Sequence, residues 1–510
     1  MRLLTPDQAR ELDQISMDDL GISGTMLMGN AGSKISDVAL EMVADFHNPF
    51  ILIICGKGNN GGDGYAAALE LSKSNINVKV HSLYSIDEYK GDLLDYYLKC
   101  YSSDISITFG IDLPDFTPPD LIIDGLLGTG FKGKLKGILV PWIEWINNTK
   151  SAVLSIDIPS GLDGNSGTVI NHAIKSKATV TFGAPKLGSV LRQGKKYSGL
   201  IYTKDIGFPN LNTIQIQGLD WELFEEFDVH DILKKPDLNT NKYTAGKVLV
   251  IAGSRGMTGA AILSTYGALR SGAGLTITTT PASLNEIMER SILEGMTLPL
   301  EDGGSGYIGF NHYDEIMNTV EWADTIVLGP GLGRQRETQK LICKLVSSIE
   351  KPIILDADGL YPFSDQLEKL NKRENPLVIT PHLGELSNLI GKNKNDIIFN
   401  FPIIMTNLMK DFHHVALVKQ VPNCTFYKNH AVVNSSGNPG LATGGTGDIL
   451  AGMIGSLIAQ NYTPFNASFL ASFLHGKASD ILVNEKGYRG QIASDLLDKI
   501  PSTIGCYERF

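Results

Sequence analysis

The chain has 510 residues, 43% of them hydrophobic and 19% charged, with a formal net charge of −11. That length exceeds one ordinary hydrophobic core and calls for two or three globular domains. The acidic balance speaks against a nucleic-acid partner, which a basic patch would mark.

The opening MRLLTPDQARELDQ carries charge from Arg2 onward and lacks the apolar centre of a targeting segment. No run reaches the roughly 20 apolar residues that span a bilayer, so the expectation is a soluble, cytoplasmic protein without a membrane partner. Cys55, Cys100, Cys343, Cys424 and Cys506 are scattered and show no CxxC spacing. Reduced thiols fit that usage better than a disulfide framework or a zinc site.

Along the chain, short apolar runs alternate with longer helical patterns. This is the rhythm of an α/β fold, a mostly parallel sheet with helices on both faces. The first predicted strands are FILIIC, INVKVH, DLIIDGLL, AVLSID and ATVTFG. Near GFPNLNTIQIQGLDWELFEEFDVHDILKKPDLNTN the rhythm breaks and the composition turns polar and acidic. A second series follows: KVLVIAG, GLTITTT, DTIVLGPG, PIILDADG, PLVITP and HVALVKQ. The expected boundary lies near residue 220, giving domains 1–220 and 221–510. The last helix read from the pattern covers TGDILAGMIGSLIAQ, where Ile449, Leu450, Met453, Ile454, Leu457 and Ile458 form an apolar stripe.

Two glycine turns punctuate the first domain. Gly56, Gly58 and Gly61 satisfy G-x-G-x-x-G between a strand and a helix. The dinucleotide version also needs an acid at the end of the next strand, and VKVHS has none. GTGFKGKL has the G-x-x-x-x-G-K of a P-loop, but Leu135 stands where Ser or Thr would hold magnesium. A phosphate could rest on these amides near Lys132 or Lys134, and either stretch alone could be only a tight turn.

Taken together, the strand ends say more. Asn59, Asn60 and Asp63, then Asp124, then Asp157 and Ser160 follow three predicted strands. In a parallel sheet those ends share one edge, where a crevice opens if the strand order reverses. Carboxylates converging there repel unless a cation or a proton intervenes, and oxygen donors without His or Cys point to a hard cation.

NPGLATGGTGDILAG is the sharpest signal in the second domain. Gly444, Gly445 and Gly447 leave amides free at a helix start, an anion site by geometry and dipole. Asp448 follows in the first turn. It reads either as a helix-stabilising acid or as a base that deprotonates a hydroxyl receiving a phosphoryl group. VLGPGLG, ILDADGL and TPHLGEL each stand at a strand end, and His382 lies in the last of them.

NNGGDG, DGLLGTGFKG, SIDIPSGLDG and FGAPKLG resemble the N-terminal domain of the bifunctional NAD(P)H-hydrate repair enzymes. VIAGSRGMTGAA, LGPGLG, LDADGL, TPHLGE, NPGLATGGTGDILAG and YRGQIASDLLDKIP resemble their C-terminal domain. The resemblance implies a Rossmann-like three-layer α/β/α domain followed by a ribokinase-like α/β/α domain. It implies an epimerase of the R and S hydrates of NADH and NADPH, and a dehydratase of the S hydrate that uses ADP or ATP.

Carried over by position, Asn59, Asn60, Gly61, Gly62 and Asp63 would contact the hydrate in the epimerase. Gly128, Thr129, Gly130, Phe131, Lys132, Gly133 and Lys134 would hold its phosphates. Asp157 would bind the hydrate as the acid–base residue, and Asn60, Asp124 and Ser160 would bind potassium. In the second domain Ala260, Gly331, Gly333, His382 and Asp448 would line the hydrate site, with Asp448 the base. Lys419 and Gly447 would touch the adenine nucleotide together with Gln420, Val421, Pro422 and Asn423, and Mg2+ could accompany it. A homo-oligomer is the expected assembly.

The nucleotide segment departs from the usual Lys-Gly-x-x-Thr: here it reads KQVPNCT, with Gln420 in place of glycine. Two other readings stay open, a small-molecule kinase and a first domain that binds without catalysing.

Overall fold

The computed structural model describes residues 1–74, 76–113 and 118–508. It forms two compact units that change over between Trp221 and Glu222. Among the described residues, no helix is long and apolar enough to cross a membrane.

The sheet of the first unit has seven strands. They run side by side as Ser106–Phe109, Asn77–Ser82, Phe50–Cys55, Leu121–Gly125, Ala152–Ile156, Ala178–Phe182 and Leu200–Lys204. Every pairing is parallel. Chain order runs outward in one direction from Phe50–Cys55, then restarts beside it at Leu121–Gly125. The strand order therefore reverses between these two, and a crevice must open above their carboxyl ends.

The glycines at that point are there for close approach. A Cβ on Gly56 would lie 1.9 Å from the Leu126 carbonyl oxygen, and one on Gly61 would lie 2.1 Å from that of Gly56. No side chain fits, so helix Asn59–Leu71 sets its first turn directly on the strand ends.

In the second unit the strands neighbour one another as Asp220–Phe224, His430–Asn434, Cys424–Tyr427, Val415–Val418, Leu377–Ile379, Ile353–Leu355, Thr325–Leu328, Lys247–Ile251, Leu275–Pro281 and Met296–Leu300. From Val415–Val418 to Met296–Leu300 all pairings are parallel. Cys424–Tyr427 and His430–Asn434 form an antiparallel hairpin beside them. The order reverses here between Lys247–Ile251 and Thr325–Leu328.

Helix Thr446–Ala459 is buried along nearly its whole length. It crosses helix Thr258–Arg270 at glycines on both. A Cβ on Gly452 would lie 2.0 Å from the Ser264 oxygen, and one on Gly267 would lie 2.4 Å from the Ile449 oxygen. On its other side, Gly455 meets Val327 of the sheet. The stripe read from the sequence is core, with Ile449, Leu450, Met453, Ile454, Leu457 and Ile458 all buried.

All eleven strands predicted above occur. Four that were not predicted, Ser106–Phe109, Leu200–Lys204, Met296–Leu300 and Asp220–Phe224, carry exposed or half-exposed positions and so lack a continuous apolar run. The hairpin was missed because its turn is Lys428–Asn429, with Lys428 at φ 55, and not a glycine pair. Helices Pro464–Lys486 and Ala493–Tyr507 extend beyond the last helix read from the pattern.

Candidate functional site

At the reversal point of the first sheet lies a cleft of about 960 Å3. Asn59, Asn60, Asp63, Gly128, Thr129, Gly130, Phe131 and Asp157 line it, as the sequence placed them. Gly61 and Gly62 do not line it. Gly62 is pressed against Met28, where a Cβ would lie 2.6 Å from Sδ, so both glycines act through the fit of the helix. Lys132, Gly133 and Lys134 are exposed and lie beyond the lining.

Asp157 is held in the left-handed region, φ 62, unusual for a residue with a side chain. Its amide donates to the Val180 carbonyl at 2.6 Å. Oδ1 accepts from Thr181 Oγ1 at 3.0 Å and from Lys186 Nζ. Lys186 is 3% exposed. It was not singled out in the sequence, although it lies inside FGAPKLG. The cation that converging carboxylates demand is thus partly the protein's own. The Leu187 amide donating to the Leu4 carbonyl at 2.7 Å helps fix the loop that carries it.

Beneath the cleft, Asp124 is fully buried. Ser160 Oγ donates to Oδ1 at 2.6 Å, while the Ser160 amide at 2.9 Å and Ser155 Oγ at 2.8 Å donate to Oδ2. The Leu126 amide adds a longer bond to Oδ1 at 3.3 Å. Burial raises the Asp124 pKa even though the Ser160 bonds oppose it. Among the described residues, no ammonium or guanidinium touches it. Asn60 Nδ2 donates to the Leu127 and Ile156 carbonyls at 3.0 and 2.8 Å. Ser160 Oγ also reaches the Leu127 carbonyl at 3.3 Å. Asn60, Asp124 and Ser160 therefore meet around Leu127, where hydroxyl and amide groups, and no cationic side chain among the described residues, satisfy the Asp124 carboxyl. Side-chain oxygens without His or Cys suit a hard cation.

Two residues that the sequence reading passed over also line the cleft, Asp13 and Lys186. Asp13 sits on helix Pro6–Asp18. Only its distance in sequence from the glycine motifs hid it.

In the second unit the site again sits at the reversal point. The Gly253 amide donates to the Pro330 carbonyl at 2.8 Å, and Ser254 Oγ to the Gly331 carbonyl at 2.8 Å. These bonds zip the two glycine loops together. A Cβ on Gly331, φ 60, would lie 2.8 Å from Ala260 Cβ, so these two predicted residues are in contact. The Gly333 amide donates to Asp358 Oδ2 at 3.0 Å.

Gly445 precedes helix Thr446–Ala459 with φ 93. The Gly447 and Asp448 amides find no backbone acceptor among the described residues, as expected for a helix mouth. A Cβ on Gly447 would lie 3.3 Å from Lys419 Nζ, which brings the lysine to that mouth. Lys419 Nζ also donates to Asp356 Oδ1 at 2.6 Å. Burial opposes the lysine's charge, but Asp356, Glu385 and Asp448 outweigh it and raise its pKa.

Asp448 is pushed up to about 7 by burial and then by Asp356, with Lys419 pulling the other way. A carboxyl poised there can act as a base near neutral pH. Asp356 and Glu385 were not named from the sequence. The first was hidden in ILDADGL, the second in TPHLGEL.

His382 begins helix Leu383–Ile390 as a cap. Its Nδ1 accepts from the Gly384 and Glu385 amides at 3.0 Å each, while its side chain stays 58% exposed. It also bridges to Lys419 through the backbone. Residues 419–423 form the turn between Val415–Val418 and Cys424–Tyr427. Gln420 Nε2 reaches Cys424 Sγ at 3.4 Å, and Asn423 Nδ2 donates to Ser472 Oγ at 3.0 Å. Val421 is exposed.

Residues 24–188 match the family described as YjeF-related protein N-terminus, and residues 248–502 match the NAD(P)H-hydrate dehydratase family. A bifunctional NAD(P)H-hydrate repair enzyme of Moorella thermoacetica is 31% identical, over 99% of this chain and 97% of its own length. The chain belongs to the bifunctional NAD(P)H-hydrate repair enzyme family. Another repair enzyme, from Coxiella burnetii, is 32% identical over 96% of both chains. Among solved structures, an ADP/ATP-dependent NAD(P)H-hydrate dehydratase from Bacillus subtilis, co-crystallised with ATP/Mg2+, is 27% identical with a TM-score of 0.48. It covers 56% of this chain and 97% of its own. The first matched segment contains Asn60, Asp124, Asp157 and Lys186 but not Asp13, and the second contains Lys419, Gly447 and Asp448.

Proposed function

We propose that the protein repairs hydrated NADH and NADPH at these two sites. The first unit interconverts the R and S hydrates, and the second dehydrates the S form using ADP or ATP. The observation that carries this reading is the position of Asp448, one residue after Gly447, at an open helix mouth that Lys419 Nζ also reaches.

Dehydration then proceeds in two steps. Asp448 takes the proton of the ring hydroxyl as its oxygen attacks the terminal phosphoryl group of the nucleotide, whose bridging P–O bond breaks to release AMP from ADP or ADP from ATP. The amides of the helix mouth and Lys419 hold the phosphoryl oxygens as charge develops on them. The enamine nitrogen of the ring next expels phosphate, and loss of a proton restores the reduced nicotinamide. A hydroxyl leaves poorly and a phosphate well, so a kinase-like site fits the task. Residues 419–423 flank the nucleotide, and Ala260, Gly331 and Gly333 border the hydrate. Mg2+, where bound with the nucleotide, neutralises phosphate charge.

In the first unit, Asn60, Asp124 and Ser160 would hold potassium, which offsets the buried Asp124 charge. Thr129, Gly130 and Phe131 border the ligand phosphates, and Asp157 serves the ring.

The test gives purified protein the mixed hydrates with ADP or ATP and follows absorbance at roughly 340 nm, the band of the reduced ring. Recovery of that band from both hydrates is expected. A stable phosphorylated product without recovery would make the protein a kinase instead.

A further inference from the structure

Five aspartates line the cleft of the first unit, Asp13, Asp18, Asp63, Asp92 and Asp157, together with one buried ammonium, Lys186. That ammonium is fully engaged. Besides Asp157 it reaches Thr181 Oγ1 at 3.1 Å and the Phe182 and Ala184 carbonyls at 3.4 Å each. Asp157 uses only Oδ1 for its partners, and Oδ2 makes no hydrogen bond among the described residues. Among the described residues, Asp13 and Asp63 make none through their side chains, although both line the cleft.

We propose that Asp13 and Asp63 are further catalytic residues of the epimerase, acting opposite Asp157 as proton donors to the hydroxyl of the hydrated ring carbon. The proposal rests on the epimerase reading of this cleft. Neither residue has a sufficient structural role. Asp13 is the eighth residue of a helix of 13, beyond the first turn in which an acid gains from the helix dipole. Asp63 is the fifth residue of its helix and, among the described residues, accepts from no amide.

The charge balance supports the assignment. Burial, with Lys186 opposing and Asp157 adding to it, pushes Asp13 up to about 6. Burial, then Asp157 and Asp13, raise Asp63 well above the usual carboxyl range. The other charged groups along the cleft have partners of their own: Lys57 pairs with Glu88, Arg10 with Asp7, Asp92 with Thr25 and Asp18 with Gln14. Asp13 and Asp63 thus both hold a proton more readily than an ordinary carboxyl, as a proton donor must.

The step balances without a further reactant. The protonated carboxyl gives its proton to the hydroxyl, and the C–O bond breaks with its electron pair leaving in water. The ring nitrogen lone pair forms a C=N double bond, and the resulting cation sits among the carboxylates. Water adds to the other face, the C=N pair returns to nitrogen, and Asp157 Oδ2 takes the water proton. The carbon keeps its hydrogen, and the carboxyls restore their protonation through water.

The experiment uses the full chain, the R hydrate of NADH and ADP or ATP, with the S hydrate run in parallel. Asp13→Asn and Asp63→Asn should each slow use of the R form by about 10² or more while use of the S form stays as in the wild type. Asp157→Asn runs beside them. If Asp157→Asn loses R turnover and the other two keep it, the proposal is overturned and the epimerase reading stands. If all three keep it, the reading of this cleft falls and the proposal with it. A measurement on the unaltered protein needs no variant to fold: in 18O-labelled water, each inversion should place one labelled oxygen on the ring. Inversion without label overturns the proposal.

Discussion

Lys419 Nζ lies 2.6 Å from Asp356 Oδ1, and Asp356 is 1% exposed. The lysine is thereby shared between a buried aspartate and the helix mouth beside Gly447. Asp448 receives only part of its compensation, so its carboxyl stays poised near neutrality and does not ionise fully in the acid range. Asp448→Asn should lower dehydration of the S hydrate by about 10²–10⁴-fold and leave epimerisation unchanged. In the unaltered protein the dehydration rate should rise with pH through about 7 and then level off. Stopped-time assays of each epimer across pH 5–9 (roughly two units either side of that value) check both points.

The same carboxyl has a stability consequence of opposite sense to that of an ordinary salt-bridged acid. Its folded pKa of about 7 lies above the unfolded 3.8, so the folded state binds the extra proton between them. Stability is therefore lost as pH rises across that window, up to a ceiling of about 4 kcal/mol. Asp448→Asn should melt higher than the parent at pH 8, and the gap should close as pH falls towards 4. Calorimetry at several pH values reads it, and a gap that widens in acid would contradict the assignment.

Asp124 is buried without an ammonium partner. Potassium should raise the melting temperature of the protein more than the same concentration of lithium or choline. At about 100-fold above its dissociation constant the gain is about 2.7 kcal/mol. Asp124→Asn and Ser160→Ala should each abolish the difference between salts. Thermal shift with matched ionic strength provides the readout.

Lys186 and Asp157 should behave as a coupled pair. Lys186→Met leaves Asp157 beside Asp13 and Asp63 with no cation, and should cost about 3–5 kcal/mol. Adding Asp157→Asn to that variant should recover much of the loss, because the stranded charge disappears. Denaturant unfolding of the four proteins in the cycle measures the coupling.

The sequence exposed those parts of both sites that announce themselves by local chemistry. Glycine turns marked Asn60 and Asp448, because a tight turn and a free helix start both require glycine, and Asp157 stood out as a polar residue at a strand end. The residues it hid are single charges without a local pattern. Lys186 reaches Asp157 only once the loop after Ala178–Phe182 folds back, and Asp13 comes from a helix that precedes the sheet. Asp356 looked like one more strand-end acid, since its bond to Lys419 spans 63 residues of chain. Edge strands such as Ser106–Phe109 were illegible for a different reason. Partial exposure removes the apolar run that reveals a central strand.

The crossing at Gly267 and Gly452 has a bearing on which molecules the dehydratase half accepts. On the proposed assignment of Ala260 to the hydrate and Gly447 to the nucleotide, both lie in the first turns of two helices whose backbones touch, so the span between ring and phosphoryl group would work as a fixed gauge. Separating the two helices to admit a bulkier acceptor would break the contact at both glycines.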